Sequence, residues 1–196
     1  MKSLKYPSLV LVVFTLALAT VFSWGVQTAV ANIEAGCQPN ITVTSNADSG
    51  PGTLRQAILD VCAGGVIDFD LPWPANITLT SEQLLVDKAM HIEGPGANLL
   101  SIRSGLPFTR VLQNDGEGVL LTGMTIRDGS PPYYDGEGGG ILNTGVLTIT
   151  GLVLQDNKAD SHLGYVKGGG IANVGGTLTL NDSALIGNTA GGGGGD

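Results

Sequence analysis

Apolar and polar residues alternate with a period of two along much of the chain. Leu147 and Ile149 alternate with Thr148 and Thr150, and Leu178 and Leu180 alternate with Thr179 and Asn181. That period belongs to a β-strand with one buried face. Residues 77–80, 90–93, 100–103 and 119–122 read as further short strands, and Gly94-Pro95-Gly96 reads as a turn between two of them. One stretch departs from the pattern. Over residues 53–63 the apolar positions Leu54, Ala57, Ile58, Val61 and Cys62 share one face of a predicted amphipathic helix. Ser49-Gly50-Pro51-Gly52 supplies the turn that starts it.

The strand pattern repeats. Gly138-Gly139-Gly140-Ile141-Leu142-Asn143 returns as Gly168-Gly169-Gly170-Ile171-Ala172-Asn173, 30 positions later. Leu147-Thr148-Ile149-Thr150 returns as Leu178-Thr179-Leu180-Asn181, 31 positions later, and Leu154, Asn157 and Ala159 match Leu185, Asn188 and Ala190 at the same shift. Thr122-Gly123-Met124-Thr125-Ile126 matches Thr150-Gly151-Leu152-Val153-Leu154 at a shift of 28. A repeat of about 30 residues made of short strands and turns cannot bury its apolar face alone, but stacked repeats can. The expected fold is therefore all-β, a right-handed parallel β-helix. Its inward Leu and Ile residues form ladders, with candidate Asn ladders at Asn143 over Asn173 and Asn157 over Asn188. The helix ahead of the coils is expected to cover the open apolar end and unpaired edges of the first coil.

The amino end carries a different signal. Lys2 and Lys5 precede an apolar run from Leu9 to Val21, and Ala29-Val30-Ala31 offers a small-x-small cleavage site. This order predicts a secretory signal over residues 1–31, cleaved after Ala31. The stretch from Leu9 to Ala31 is also long enough for the alternative of a membrane anchor. Ala35-Gly36-Cys37 resembles the end of a lipobox, but Glu34 stands where that motif needs an aliphatic residue. The expected organisation is a signal at 1–31, a cap with its helix at 32–65, and coils at 66–196.

Composition agrees with a single exported domain. Gly accounts for 31 of 196 residues, yet 42% of the chain is hydrophobic, which argues against simple disorder. The formal net charge of −8 falls to −10 once Lys2 and Lys5 leave with the signal. Such a chain, with no basic cluster, is a poor partner for nucleic acid or an anionic membrane surface. Cys37 and Cys62 both follow the signal, and an even count in an exported chain predicts a disulfide. The alternative is two independent thiols, with Cys62 on the apolar face of the helix. Two cysteines without a nearby His are too few for a structural zinc site.

The phrase Val43-Thr44-Ser45-Asn46-Ala47-Asp48-Ser49-Gly50-Pro51-Gly52-Thr53-Leu54-Arg55-Gln56-Ala57-Ile58 resembles the opening of a large group of exported bacterial β-helix proteins. Ile67-Asp68-Phe69-Asp70-Leu71-Pro72 and Ile92-Glu93-Gly94-Pro95-Gly96-Ala97 resemble their early strands. The Gly-Gly-Gly-Ile-x-Asn repeat is similar to that of the polymorphic outer-membrane proteins, which have a pectin-lyase-like fold. The likeness runs over residues 41–195. It implies export to the cell surface or outer membrane, and further coils with an anchor beyond Asp196, so the chain reads as truncated. An open last coil is expected to fray or to associate end to end.

Candidate chemistry is sparse. Enzymes that share this architecture need clustered carboxylates, for calcium or for acid–base work. Asp68 and Asp70 are the best pair, at i, i+2 in a strand; Asp156 and Asp160 are a weaker one. His91, between inward Met90 and Ile92, is expected to face solvent, and His162 lies in a loop. Gly191-Gly192-Gly193-Gly194-Gly195-Asp196 fits the start of a calcium-binding nonapeptide, but no tandem copy follows. No metal or cofactor is expected. Three tyrosines remain after the signal: Tyr133 and Tyr134 in one loop and Tyr165 in the next, each ahead of a Gly-Gly-Gly-Ile turn. With Asp135, Asn157 and Asp160 nearby they are candidates for stacking on a sugar or a partner surface. The alternative is that they pack on each other and close the loops. The expected function is a secreted or cell-surface, adhesin-like module that binds a glycan or a surface protein and is not an enzyme. The alternative is a fragment of a polysaccharide lyase or glycoside hydrolase.

Overall fold

The structure, a computed structural model, describes residues 36–132, 134–161 and 166–192. It is a parallel β-solenoid of about five coils. Strand β1 (Gln38–Val43) and helix α1 (Leu54–Asp60) come first. The first coil is β2 (Val61–Phe69), β3 (Ala75–Leu79) and β4 (Leu84–Val86), and the second is β5 (Met90–Glu93), β6 (Leu100–Ser104) and β7 (Leu112–Asn114). The third is β8 (Glu117–Thr122), β9 (Thr125–Arg127) and β10 (Ile141–Asn143). The fourth is β11 (Val146–Thr150), β12 (Val153–Gln155), β13 (Lys158–Ser161) and β14 (Ile171–Asn173). The last is β15 (Thr177–Asn181), β16 (Ala184–Ile186) and β17 (Thr189–Gly192). Three main sheets result: β1-β2-β5-β8-β11-β15, β3-β6-β9-β12-β16 and β4-β7-β10-β14, with a short β13–β17 pair beside them.

The register follows the repeats. Ile141 pairs with Ile171, Leu147 with Leu178, and Leu154 with both Ile126 and Leu185. Inward side chains therefore stack on like side chains. In the first sheet the column runs Ile41, Ile67, Ile92, Leu121, Ile149, Leu180. In the second it runs Ile77, Ile102, Ile126, Leu154, Leu185. Ile67, Ile92, Leu121, Ile149, Ile126 and Leu154 are buried in one continuous core. Each such side chain contributes about 1.5–3 kcal/mol by leaving water. His91 points outward between buried Met90 and Ile92, as expected.

The third sheet puts polar groups on an inward column. Val86, Asn114, Asn143 and Asn173 lie in register. Asn114 donates to Asn143 Oδ1 at 2.7 Å, and Asn143 donates to Asn173 Oδ1 at 2.6 Å. The same amides serve the turn into the first sheet: Asn114 accepts from Gly116 N–H, and Asn143 donates to the Gly145 carbonyl. A buried turn needs such partners, because an unpaired backbone group inside a core is costly. Asn157 over Asn188 forms the second ladder, with Nδ2 donating to Oδ1 at 2.9 Å. Asn114 extends the first ladder by one coil beyond the repeat read from sequence.

The capping helix is shorter than its apolar spacing suggests. Thr53 is its N-cap and accepts from the Gln56 N–H, and α1 ends at Asp60. Val61 is already extended, with φ −70° and ψ 141°, and Cys62 lies in β2, not on a helix face. Pairing with β1 decides this: Gln38 sits opposite Val61, so those residues gain sheet hydrogen bonds that another helical turn would forfeit. Cys37 and Cys62 form a disulfide at the start of that pairing. Strand β2 crosses residue 65, so cap and first coil share one strand.

Candidate functional site

Two places draw charged groups together. The first is the cap. Asp48 is almost wholly buried and accepts from Arg55 Nη2 at 2.6 Å, Ser81 Oγ at 2.6 Å and Thr80 N–H at 3.1 Å. Arg55 also donates to the carbonyls of Glu82 and Gln83. Burial pushes the Asp48 carboxyl upward, but the Ser81 and Arg55 hydrogen bonds, the Thr80 N–H and the Arg55 charge outweigh it and hold the pKa below its ordinary value. Asp48 and Arg55 thus tie the phrase around the capping helix to the loop between β3 and β4. In this phrase the pair has a structural task.

The second place is the corner where the chain turns into the third sheet. Arg110 precedes β7 and is buried. It donates to the carboxylate of Asp135 and to the carbonyls of Glu137 and Gly138, all in the next coil's loop. It also reaches Gln83 and Gln113, which bond each other at 2.7 Å. Ser130 N–H donates to the Thr109 carbonyl at 3.0 Å, and Asp135 N–H closes a turn on the Pro132 carbonyl. One coil on, Lys167 pairs with Glu137 at 2.7 Å across a parallel bridge. The corner is laced from coil to coil, so successive loops are stacked at it.

The sequence does not point to Arg110. A lone basic residue in a Gly/Pro-containing loop gives little local signal, and its partner Asp135 lies 25 positions away. Tyr134, which was singled out, is 75% exposed beside Asp135. Tyr133, Tyr165 and His162 lie outside the described residues. The polar groups expected beside the tyrosines have other tasks. Asp135 is held by Arg110, and Asp160 pairs with Lys158 at 2.8 Å. Asn157 is buried, accepting from Gly129 N–H and donating to the Ile126 carbonyl. Its inward place in the ladder removes it from any ligand surface.

The candidate acidic pairs do not form one centre. Asp68 and Asp70 are both exposed, with β2 ending between them at Phe69. Asp156 sits in the left-handed region at φ 53° and accepts from Gln155, over Gly187 of the next coil. Its short polar side chain tolerates that conformation better than most. Among the described residues no three His, Cys, Asp or Glu side chains gather as a metal site, and no helix is long and apolar enough to cross a membrane.

Fold and site together define a disulfide-bonded parallel β-solenoid with a pinned N-terminal cap and a laced loop corner. No family model, no curated protein and no solved structure matches the chain.

Proposed function

We propose that this solenoid is a secreted or cell-surface structural module of the adhesin type, related to the polymorphic outer-membrane proteins, and that its loop corner binds a glycan. The observation that carries the reading is Arg110. A buried cation commits its donors to holding one loop in place while the neighbouring Tyr134 stays outside. Preorganised loops carrying exposed aromatics suit recognition, because little ordering entropy remains to be lost on binding. The non-enzymatic reading draws support from the acidic groups. Asp48 and Asp135 each sit in an ion pair that holds a loop in place, and Asp160 pairs with Lys158 on its own strand. Export follows from the apolar run at the amino end and suits the disulfide.

Two measurements test this reading. Exported protein should begin at Asn32 on N-terminal sequencing, and material retaining Met1 would refute the cleaved signal. Purified protein should be retained on a panel of immobilised glycans and leave the chain length of soluble acidic polysaccharides unchanged. Reproducible cleavage that Asp68→Ala or Asp70→Ala abolishes would replace the module by an enzyme.

A further inference from the structure

Six aromatic residues follow Ala31: Phe69, Trp73, Phe108, Tyr133, Tyr134 and Tyr165. Four of them fall in segments that lead into strands of the third sheet. Phe108 precedes β7, Tyr133 and Tyr134 precede β10, and Tyr165 precedes β14. Among the described residues this corner therefore presents Phe108 from one coil and Tyr134 from the next, 54% and 75% exposed. The two loops are joined by the Ser130–Thr109 backbone bond and by Arg110, two residues after Phe108, reaching Asp135, the residue after Tyr134.

Phe108 has a second distinguishing feature. Its φ is +55°, in the left-handed region that a bulky side chain rarely adopts. Among the described residues the other non-glycine residues there are Asp128, Asp156 and Asp182, whose short polar side chains suit it. A glycine would relieve the strain at 108, yet the position holds an exposed aromatic ring. Around it the loop is fastened by its own bonds, Ser104 Oγ to the Leu106 carbonyl and Thr109 Oγ1 to the Pro107 carbonyl. Strained backbone held by its surroundings concentrates where a side chain must be presented.

We infer that Phe108 and Tyr134 form an aromatic platform for the ring faces of a neutral glycan running along the corner. This rests on the glycan-binding reading above and names its ligand class and a residue that reading lacks. A pyranose ring has an apolar C–H face and a polar rim, and its apolar face suits exposed aromatic rings such as those of Phe108 and Tyr134. Two aromatic side chains cover about 150–250 Å² each. That is short of the roughly 800 Å² per partner of a stable protein interface. The formal charge of −8 disfavours a polyanionic sugar, so the ligand is neutral.

The test uses the full chain with cellohexaose, mannohexaose and galactohexaose, and an oligoglucuronate of matched length, titrated by calorimetry. At least one neutral oligomer should bind, and the oligoglucuronate at least tenfold more weakly. Phe108→Gly and Tyr134→Ala should each weaken binding at least tenfold, while Trp73→Ala, on a different connection, leaves it unchanged. Phe108→Gly should also hold or raise the melting temperature, since it relieves strain; a purely structural Phe108 would lower it and leave affinity intact. Binding of neutral oligomers unaffected by either corner variant overturns the platform and spares the glycan-binding reading. Binding of oligoglucuronate alone overturns the ligand class. No glycan binding at all overturns both.

Discussion

The Asp48 carboxylate receives the Arg55 guanidinium at 2.6 Å, and it is this pair that fastens the capping segment to the first coil. Removing Asp48 leaves the Arg55 guanidinium partly buried with only the Glu82 and Gln83 carbonyls as partners, and takes the acceptor from Ser81 Oγ and Thr80 N–H. Asp48→Ala should cost about 3 kcal/mol in chemical denaturation. The pH dependence has a definite sign. Because the folded pKa is held below its ordinary value, the stabilisation is whole above about pH 4, the unfolded value, and is lost as pH falls through the folded value. The stability difference between wild type and Asp48→Asn should therefore narrow on acidification below pH ~4. A difference that stays constant down to pH ~2 would show that Asp48 does not titrate in this way.

The disulfide closes a loop with a sequence separation of 25 that contains all of β1 and all of α1. Cys62→Ser should lower stability by about 3 kcal/mol on the chain-entropy account. Hydrogen exchange should quicken first in β1 and α1, since the coils beyond are held by their own neighbours. Uniform acceleration across all coils would contradict that local role.

Asn143 is buried in the ladder, whereas Asn173, one coil on, is exposed. Asn143→Ala removes the acceptor of Asn114, the donor to Asn173 and one donor to each of the Gly145 and Thr177 carbonyls. It should cost about 2 kcal/mol or more. Asn173→Ala should cost clearly less, because water replaces what is lost. Equal losses in thermal denaturation would mean the ladder is not cooperative along the stack.

The same logic applies to the apolar column. Ile149 is fully buried and Leu180, directly in register with it, is 39% exposed. Ile149→Ala should cost about 2–5 kcal/mol. Leu180→Ala should cost distinctly less. Hydrogen exchange should be slowest around residues 147–154, which have a paired coil on each side. Equal costs would place Leu180 under cover in solution.

The solenoid was legible in the sequence because a parallel stack turns repeat length into register. Gly138 and Gly168 are 30 residues apart, and so are the paired Ile141 and Ile171. Period-two alternation named the inward side of each strand, and the even cysteine count anticipated Cys37–Cys62. Other features depended on partners distant along the chain. The helix stops at Asp60 because Val61 gains a strand partner in Gln38, which helical spacing cannot register. Asn114 joins the ladder without the Gly-Gly-Gly-Ile phrase, since only its position under Asn143 matters. Arg110 and Asp135, and Asp48 with Ser81, are single polar residues in turns until folding removes water around them and makes each pairing count. Local pattern determined which face of each strand is buried. Tertiary structure alone decided which charges meet, because a charge pair depends on distance and dielectric, and neither exists until the coils have stacked.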